Sequence, residues 1–152
     1  MAEGVKSPSV EEGGKIAVIG SGFIGRSWAV LFAKAGFAPC LYDIVEEQLQ
    51  TAQELIAQQL ASMEKEGLLG GQDAGEVARR VSFQKELSSA VKDASYVQEC
   101  VFENEALKAK VFLELDACVG ETTIIASSTS CIDPAKFTEK LAHRQNLSLI
   151  HI

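Results

Sequence analysis

Three glycines in Gly20-Ser-Gly22-Phe-Ile-Gly25 have the spacing of a turn that cradles a phosphate. Gly20 would permit the tight turn, and Gly22 would let the backbone approach a pyrophosphate. Gly25 would let a following helix lie close to the strand before it. The free amides of such a helix start, at the positive end of its dipole, attract phosphate oxygens. The spacing becomes specific through its neighbours. The short apolar run Lys15-Ile-Ala-Val-Ile19 precedes it, and apolar residues at helical spacing (Ile24, Trp28, Leu31, Phe32, Ala35) follow it. Asp43 ends the next apolar run, about 20 residues on, where an acid can hold the hydroxyls of an adenosine ribose. A carboxylate there repels a 2′-phosphate, and no arginine follows in Ile44-Val45, so the pattern predicts NAD rather than NADP. Asp43 could equally cap the next helix, and the two roles are compatible.

The elements that must position these residues alternate. Strands are expected at 15–19, 39–43, 81–83, 96–99 and 122–126, and helices at 23–36, 45–66, 86–92, 104–119 and 133–141. Pro134 stands in the first turn of the last helix, where proline fits. Residues 67–75 carry four glycines and two leucines and read as a loop or a flap. Five alternations with long connections predict a doubly wound parallel sheet, the α/β architecture of a Rossmann NAD-binding domain. Ligands of such sheets bind at the carboxyl ends of the strands, which draws attention to Ser130 after the fifth strand. Taken alone, a serine there is as readily a cap or a turn.

Composition excludes several classes. The 152 residues carry 47% hydrophobic and 23% charged side chains and a formal charge of −7, with no Lys/Arg-rich stripe to meet nucleic-acid phosphates. Apolar runs fall short of the ~20 residues that span a bilayer. Residues 1–14 are polar and read as a flexible leader without a signal peptide, which predicts a cytoplasmic protein. Cys40, Cys100, Cys118 and Cys131 lack metal-ligand spacing and are expected as small core residues.

Four stretches, Gly20–Ala29, Leu41-Tyr-Asp-Ile44, Gln98-Glu-Cys-Val101 and Ala126-Ser-Ser-Thr-Ser-Cys131, resemble the 3-hydroxyacyl-CoA dehydrogenase family. Within it they look more like the lambda-crystallin, L-gulonate 3-dehydrogenase branch, since the general family usually has asparagine where Ser128 stands. The resemblance covers residues 15–146. It implies that Phe23 and Ile24 line the pyrophosphate turn, and that Asp43 holds the ribose. It also implies that Glu103 and Lys108 lie beside the nicotinamide-side ribose, and that Ser130 contacts both the nicotinamide end and the substrate hydroxyl. From composition alone, Glu103 is an acid in a helix's first turn and Lys108 a surface base. The family chemistry uses a histidine to take the hydroxyl proton while hydride passes to NAD, with a carboxylate orienting that histidine. His151 stands at the matching distance from Ser130, whereas His143 reads as a solvated loop residue. The resemblance implies a helical domain further on, absent from this sequence, that builds a homodimer and most of the substrate pocket.

Leu147-Ser-Leu-Ile-His-Ile152 reads in two ways. It is a strand carrying the base, or the translation of one frame of a transposon-end sequencing adapter, in which case His151 is no guide to native chemistry. The second reading is the expectation here, because all six positions agree with the adapter frame. Two function classes follow. One is the NAD-binding half of an enzyme oxidising a small hydroxy acid, with a 3-hydroxyacyl-CoA as the alternative substrate; residues 45–80 offer no recognisable CoA-binding pair. The other is a non-catalytic, crystallin-like NAD-binding protein.

Overall fold

A computed structural model describes residues 10–142 and 144–149. Among the described residues six strands form one sheet in the order β3-β2-β1-β4-β5-β6. They are β1 (Lys15–Ile19), β2 (Ala38–Tyr42), β3 (Ser82–Gln84), β4 (Tyr96–Glu99), β5 (Ile124–Ser127) and β6 (Leu147–Leu149). Every neighbouring pair is parallel, so all strands end at the same edge. The order reverses between β1 and β4, and there a crevice must open, because the connections leave in opposite directions.

The two-residue period of β1 builds both core layers. Ile16 and Val18 point to one face, where Ala29, Val30 and Ala33 of α1 (Phe23–Lys34), Ile56 and Leu60 of α2 (Glu46–Lys65) and Val77 of α3 (Ala74–Arg79) close over them. Ala17 and Ile19 point to the other. They meet Val91 of α4 (Leu87–Val91), Phe112 and Leu115 of α5 (Glu105–Cys118) and Phe137 of α6 (Ala135–Thr138). The doubly wound α/β sheet expected from the alternation is the fold observed.

Several details differ from expectation. Residues 67–75 are a packed corner rather than a loose flap. Leu69 is buried, and Gln72 donates to the carbonyls of Lys34 and Leu69. Arg80 donates to Ala33 O and Gln72 Oε1, both at 2.7 Å, so the open carbonyls of α1's last turn find partners. Asp73 caps α3 by accepting the Glu76 amide, a helix the glycine content obscured. The fifth strand starts later than expected, because the Thr123 amide closes a turn onto Gly120 O and its hydroxyl bonds Ala94 O. The last helix is reduced to one turn, Ala135–Thr138. Cys40 is buried, but Cys118 and Cys131 are exposed, correcting their expected place in the core: one ends α5 and the other follows the β5 loop. Of the expected leader, Val10 packs on the first core layer and Gly14 O accepts the Ala38 amide. Leu147–Leu149 lie parallel to β5, a pairing that needs only apolar alternation and is indifferent to the segment's origin. His143, His151 and residues 1–9 lie outside the described residues.

Candidate dinucleotide site

The glycine turn leaves β1 and enters α1, and each of its glycines meets different surroundings. Gly20 has φ +102°, and a Cβ there would stand 2.9 Å from Cys100 O, just past the end of β4. A Cβ on Gly25 would stand 1.8 Å from Gly20 O, so helix and strand touch backbone to backbone. Gly22 adopts φ −62° and ψ −175°, open to any residue, and a Cβ there would meet nothing within 4 Å. Two of the glycines are therefore demanded by the protein itself. The third keeps free a space that no protein atom fills. Gly22 precedes the first turn of α1, which has no side-chain cap, so the amides of that turn face this space. Phe23 and Ile24 begin the helix and are exposed.

A hollow of about 370 Å³ runs from this turn across the end of β2 to the start of α5. Gly20, Gly22, Asp43, Ile44, Val101 and Leu107 are among its walls. Asp43 does not cap α2, whose N-cap is Val45 without a side-chain bond. Its Oδ1 accepts the Val45 amide at 3.1 Å, and its Oδ2 accepts the Ser21 amide at 3.0 Å and the Ser21 hydroxyl at 2.6 Å. The acid is thus aimed by the glycine turn it faces. Nearby, burial and then the charges of Glu114, Asp43 and Glu86 push the Tyr42 hydroxyl above its ordinary pKa. Lys110 also lines the hollow, 3.9 Å from Glu114.

Across the crevice, Glu103 reaches from the β4–α5 loop to the β5 loop. It accepts the Ser130 amide at 2.9 Å and the Thr129 hydroxyl at 2.8 Å. Ser130 itself is exposed at the strand ends: the carboxylate fixes its backbone, and its hydroxyl lies 3.5 Å from the Cys131 thiol. Lys108 is not the surface base that its residue type predicts. It is 1% exposed, and its ammonium donates to Glu99 Oε1 at 2.8 Å, Oε2 at 3.0 Å and Val101 O at 3.2 Å. Those partners account for its three protons. Glu99 in turn accepts the Val101 amide at 2.7 Å and the Ser127 hydroxyl at 2.5 Å. A buried ion pair thus ties the end of β4 to α5, and Glu99 ties it to β5 through Ser127.

Gly20, Gly22 and Asp43 therefore share one hollow, while Glu103 and Ser130 bond each other beside it. Lys108 lies underneath. Sequence reasoning missed Ser21, Glu99 and Ser127. The signals were available: a hydroxyl inside the glycine turn, and an acid ending an apolar strand. A larger, more open depression of about 480 Å³ lies at the other end of the sheet, between α4 and the α5–β5 turn. It sits at the amino ends of the strands, away from the carboxyl edge where such sheets bind ligands.

An open Gly22, uncapped amides and an acid just past the end of β2 fit a dinucleotide. The profile of the family described as "3-hydroxyacyl-CoA dehydrogenase, NAD binding domain" matches residues 15–152. The lambda-crystallin homolog of Rattus norvegicus is 42% identical over 139 residues, 91% of this chain and 44% of that protein. The L-carnitine dehydrogenase of Bacillus cereus is 32% identical over 137 residues, 90% of this chain and 41% of that one. The solved 3-hydroxybutyryl-CoA dehydrogenase of Escherichia coli superposes with a TM-score of 0.84 at 25% identity, covering 91% of this chain and 29% of that one. The chain spans less than half the length of the curated relatives it matches. On turn, sheet order and profile together, this chain belongs to the NAD-binding domain family of the 3-hydroxyacyl-CoA dehydrogenases.

Proposed function

We propose that this chain is the NAD-binding half of an oxidoreductase that oxidises the 3-hydroxy group of a small hydroxy acid, L-gulonate in the first instance. The observation that carries the reading is the pairing of an open Gly22 with a Ser130 held by Glu103 across the same crevice. NAD, when bound, supplies the hydride acceptor. The uncapped amides of α1 hold the pyrophosphate, Asp43 holds the adenosine ribose, and Phe23 and Ile24 line the turn between them. Glu103 and Lys108 keep the nicotinamide-side wall in place, Glu103 through the β5 loop and Lys108 through Glu99. Ser130 orients the substrate hydroxyl. The proton goes to a histidine; His151 matches it in position only, since the adapter reading of residues 147–152 makes it no guide to the native base. Similarity to an L-carnitine dehydrogenase, named for a free 3-hydroxy acid, supports a free hydroxy acid over a CoA thioester.

The whole protein is read as a cytoplasmic homodimer joined through a further domain, and four unbridged cysteines agree with a reducing compartment. Among the described residues no helix is long and apolar enough to cross a membrane. The test is NADH formation by the whole protein on L-gulonate, L-carnitine and 3-hydroxybutyryl-CoA. Preference for L-gulonate is expected. Preference for the thioester would move the substrate to the alternative class, and NAD binding without turnover on any of them would favour a non-catalytic, crystallin-like role.

A further inference from the structure

Ser21 is the one residue of the glycine turn whose side chain is wholly inside the protein, at 1% exposure. Its backbone is held from both sides: its amide donates to Asp43 Oδ2, and its carbonyl accepts Arg26 Nη1 at 3.2 Å. Its hydroxyl lies 2.6 Å from the same Oδ2, the length of a strong bond to a carboxylate. A carboxylate offers about four acceptor positions. Ser21 takes two on Oδ2 and the Val45 amide takes one on Oδ1. One position remains, on Oδ1, the oxygen that accepts the amide of Val45 in the wall of the hollow.

We infer that Ser21 is the positioning residue that sets coenzyme discrimination, by locking Asp43 so that one carboxylate oxygen alone meets the adenosine ribose. The inference rests on the dinucleotide reading of this crevice. A locked carboxylate accepts a ribose hydroxyl at once, without losing side-chain freedom on binding. It also cannot rotate away from a 2′-phosphate. The lysine of the hollow, Lys110, stands near Glu114, so it offers that phosphate a shared partner. With the hydroxyl removed, Asp43 keeps the two amide bonds but loses its shortest contact, and it can swing from the ribose edge. Discrimination then falls from both sides: the hydroxyl is held less well and the phosphate is repelled less.

The experiment titrates NADH and NADPH into the 152-residue chain, its Ser21→Ala, Ser21→Thr and Asp43→Asn variants, and the double variant Ser21→Ala/Asp43→Asn, with thermal melts of each. In wild type NADH binds at least about tenfold more tightly than NADPH. Ser21→Ala loses about tenfold in NADH affinity, the scale of one hydrogen bond to a charged group. It also narrows the NADH-to-NADPH ratio, whereas Ser21→Thr, which keeps the hydroxyl, retains it. In the Asp43→Asn background the alanine change costs little more, because the lock has no charge left to hold. An unchanged ratio in Ser21→Ala, or an equal cost in both backgrounds, overturns the inference while leaving the dinucleotide reading standing. Collapse of the fold in both serine variants would overturn it by making Ser21 a structural residue. Failure of wild type to bind either coenzyme removes the reading and the inference together.

Discussion

Replacing Gly22 and Gly25 in turn with alanine separates what the turn does for the fold from what it does for a ligand. At Gly25 the added Cβ would stand 1.8 Å from Gly20 O and 3.0 Å from Gly20 C, both backbone atoms that cannot rotate aside. The end of β1 and the start of α1 must part, and overpacking of this kind costs ~3 kcal/mol or more. At Gly22 the added methyl meets no protein atom within 4 Å, and the backbone already has angles alanine adopts. Alanine is a poorer N-cap than glycine, but it also restricts the unfolded chain by about 0.4–1 kcal/mol, and the two effects largely offset. Gly22→Ala should therefore melt within ~0.5 kcal/mol of wild type. Its methyl fills the space where a pyrophosphate approaches the backbone, and a misfit worth roughly 1–3 kcal/mol corresponds to about a 5- to 150-fold loss of NADH affinity. Urea denaturation and NADH titration on the same samples check both halves. Equal destabilisation of the two variants, or wild-type NADH affinity in Gly22→Ala, would refute the reasoning.

Lys108→Met strands Glu99 as a buried charge with only Ser127 and the Val101 amide for company, and should cost ~3–5 kcal/mol in urea denaturation. Adding Glu99→Gln should recover more than half, and no recovery would show that the ion pair is not the source. Burial pushes the Cys100 thiol up to about 12, against the ordinary value of 9.0, with the Ser128 hydrogen bond pulling the other way. A raised pKa keeps the thiol protonated at all pH values below it. Iodoacetamide at about pH 8 should thus label Cys118 and Cys131 while sparing Cys100, as read by peptide mass spectrometry. Rapid Cys100 labelling of the folded chain would contradict its raised pKa, since the residue is only partly buried. The 152-residue chain alone should turn over neither L-gulonate nor 3-hydroxybutyryl-CoA, since positioning by a second pocket wall supplies much of an enzyme's rate; steady NADH production would show that it suffices.

The sequence disclosed the sheet and the crevice because both rest on local patterns. Lys15–Ile19 announces a buried strand by β-branching, and the glycines announce their turn by spacing. The parts it concealed depend on long-range partners. Leu69 looks like a loop residue until Gln72 and Arg80 are seen to tie its corner to the end of α1. Lys108 reads as a surface base because nothing near it in sequence shows that Glu99 waits below, and burying an ammonium is tolerable only with such a partner. Asp43 was legible as an acid facing the glycine turn, yet its attachment to Ser21 was not, since a serine inside a glycine turn carries no signal of which way its hydroxyl points. Glu103 bonds Thr129 and Ser130 across two loops, a link that an acid in a helix's first turn does not signal in sequence.

The central claim is that a dinucleotide occupies the crevice at the carboxyl ends of β1 and β4. Amide chemical-shift mapping of the labelled chain during NADH titration tests it most directly. The account predicts saturable shifts concentrated in Ser21, Gly22, Phe23, Ile24, Asp43, Glu103 and Ser130. Shifts concentrated instead at Ser88, Lys92, Asp93, Gly120 and Thr123, around the depression at the opposite end of the sheet, would contradict it, as would no saturable shift at all.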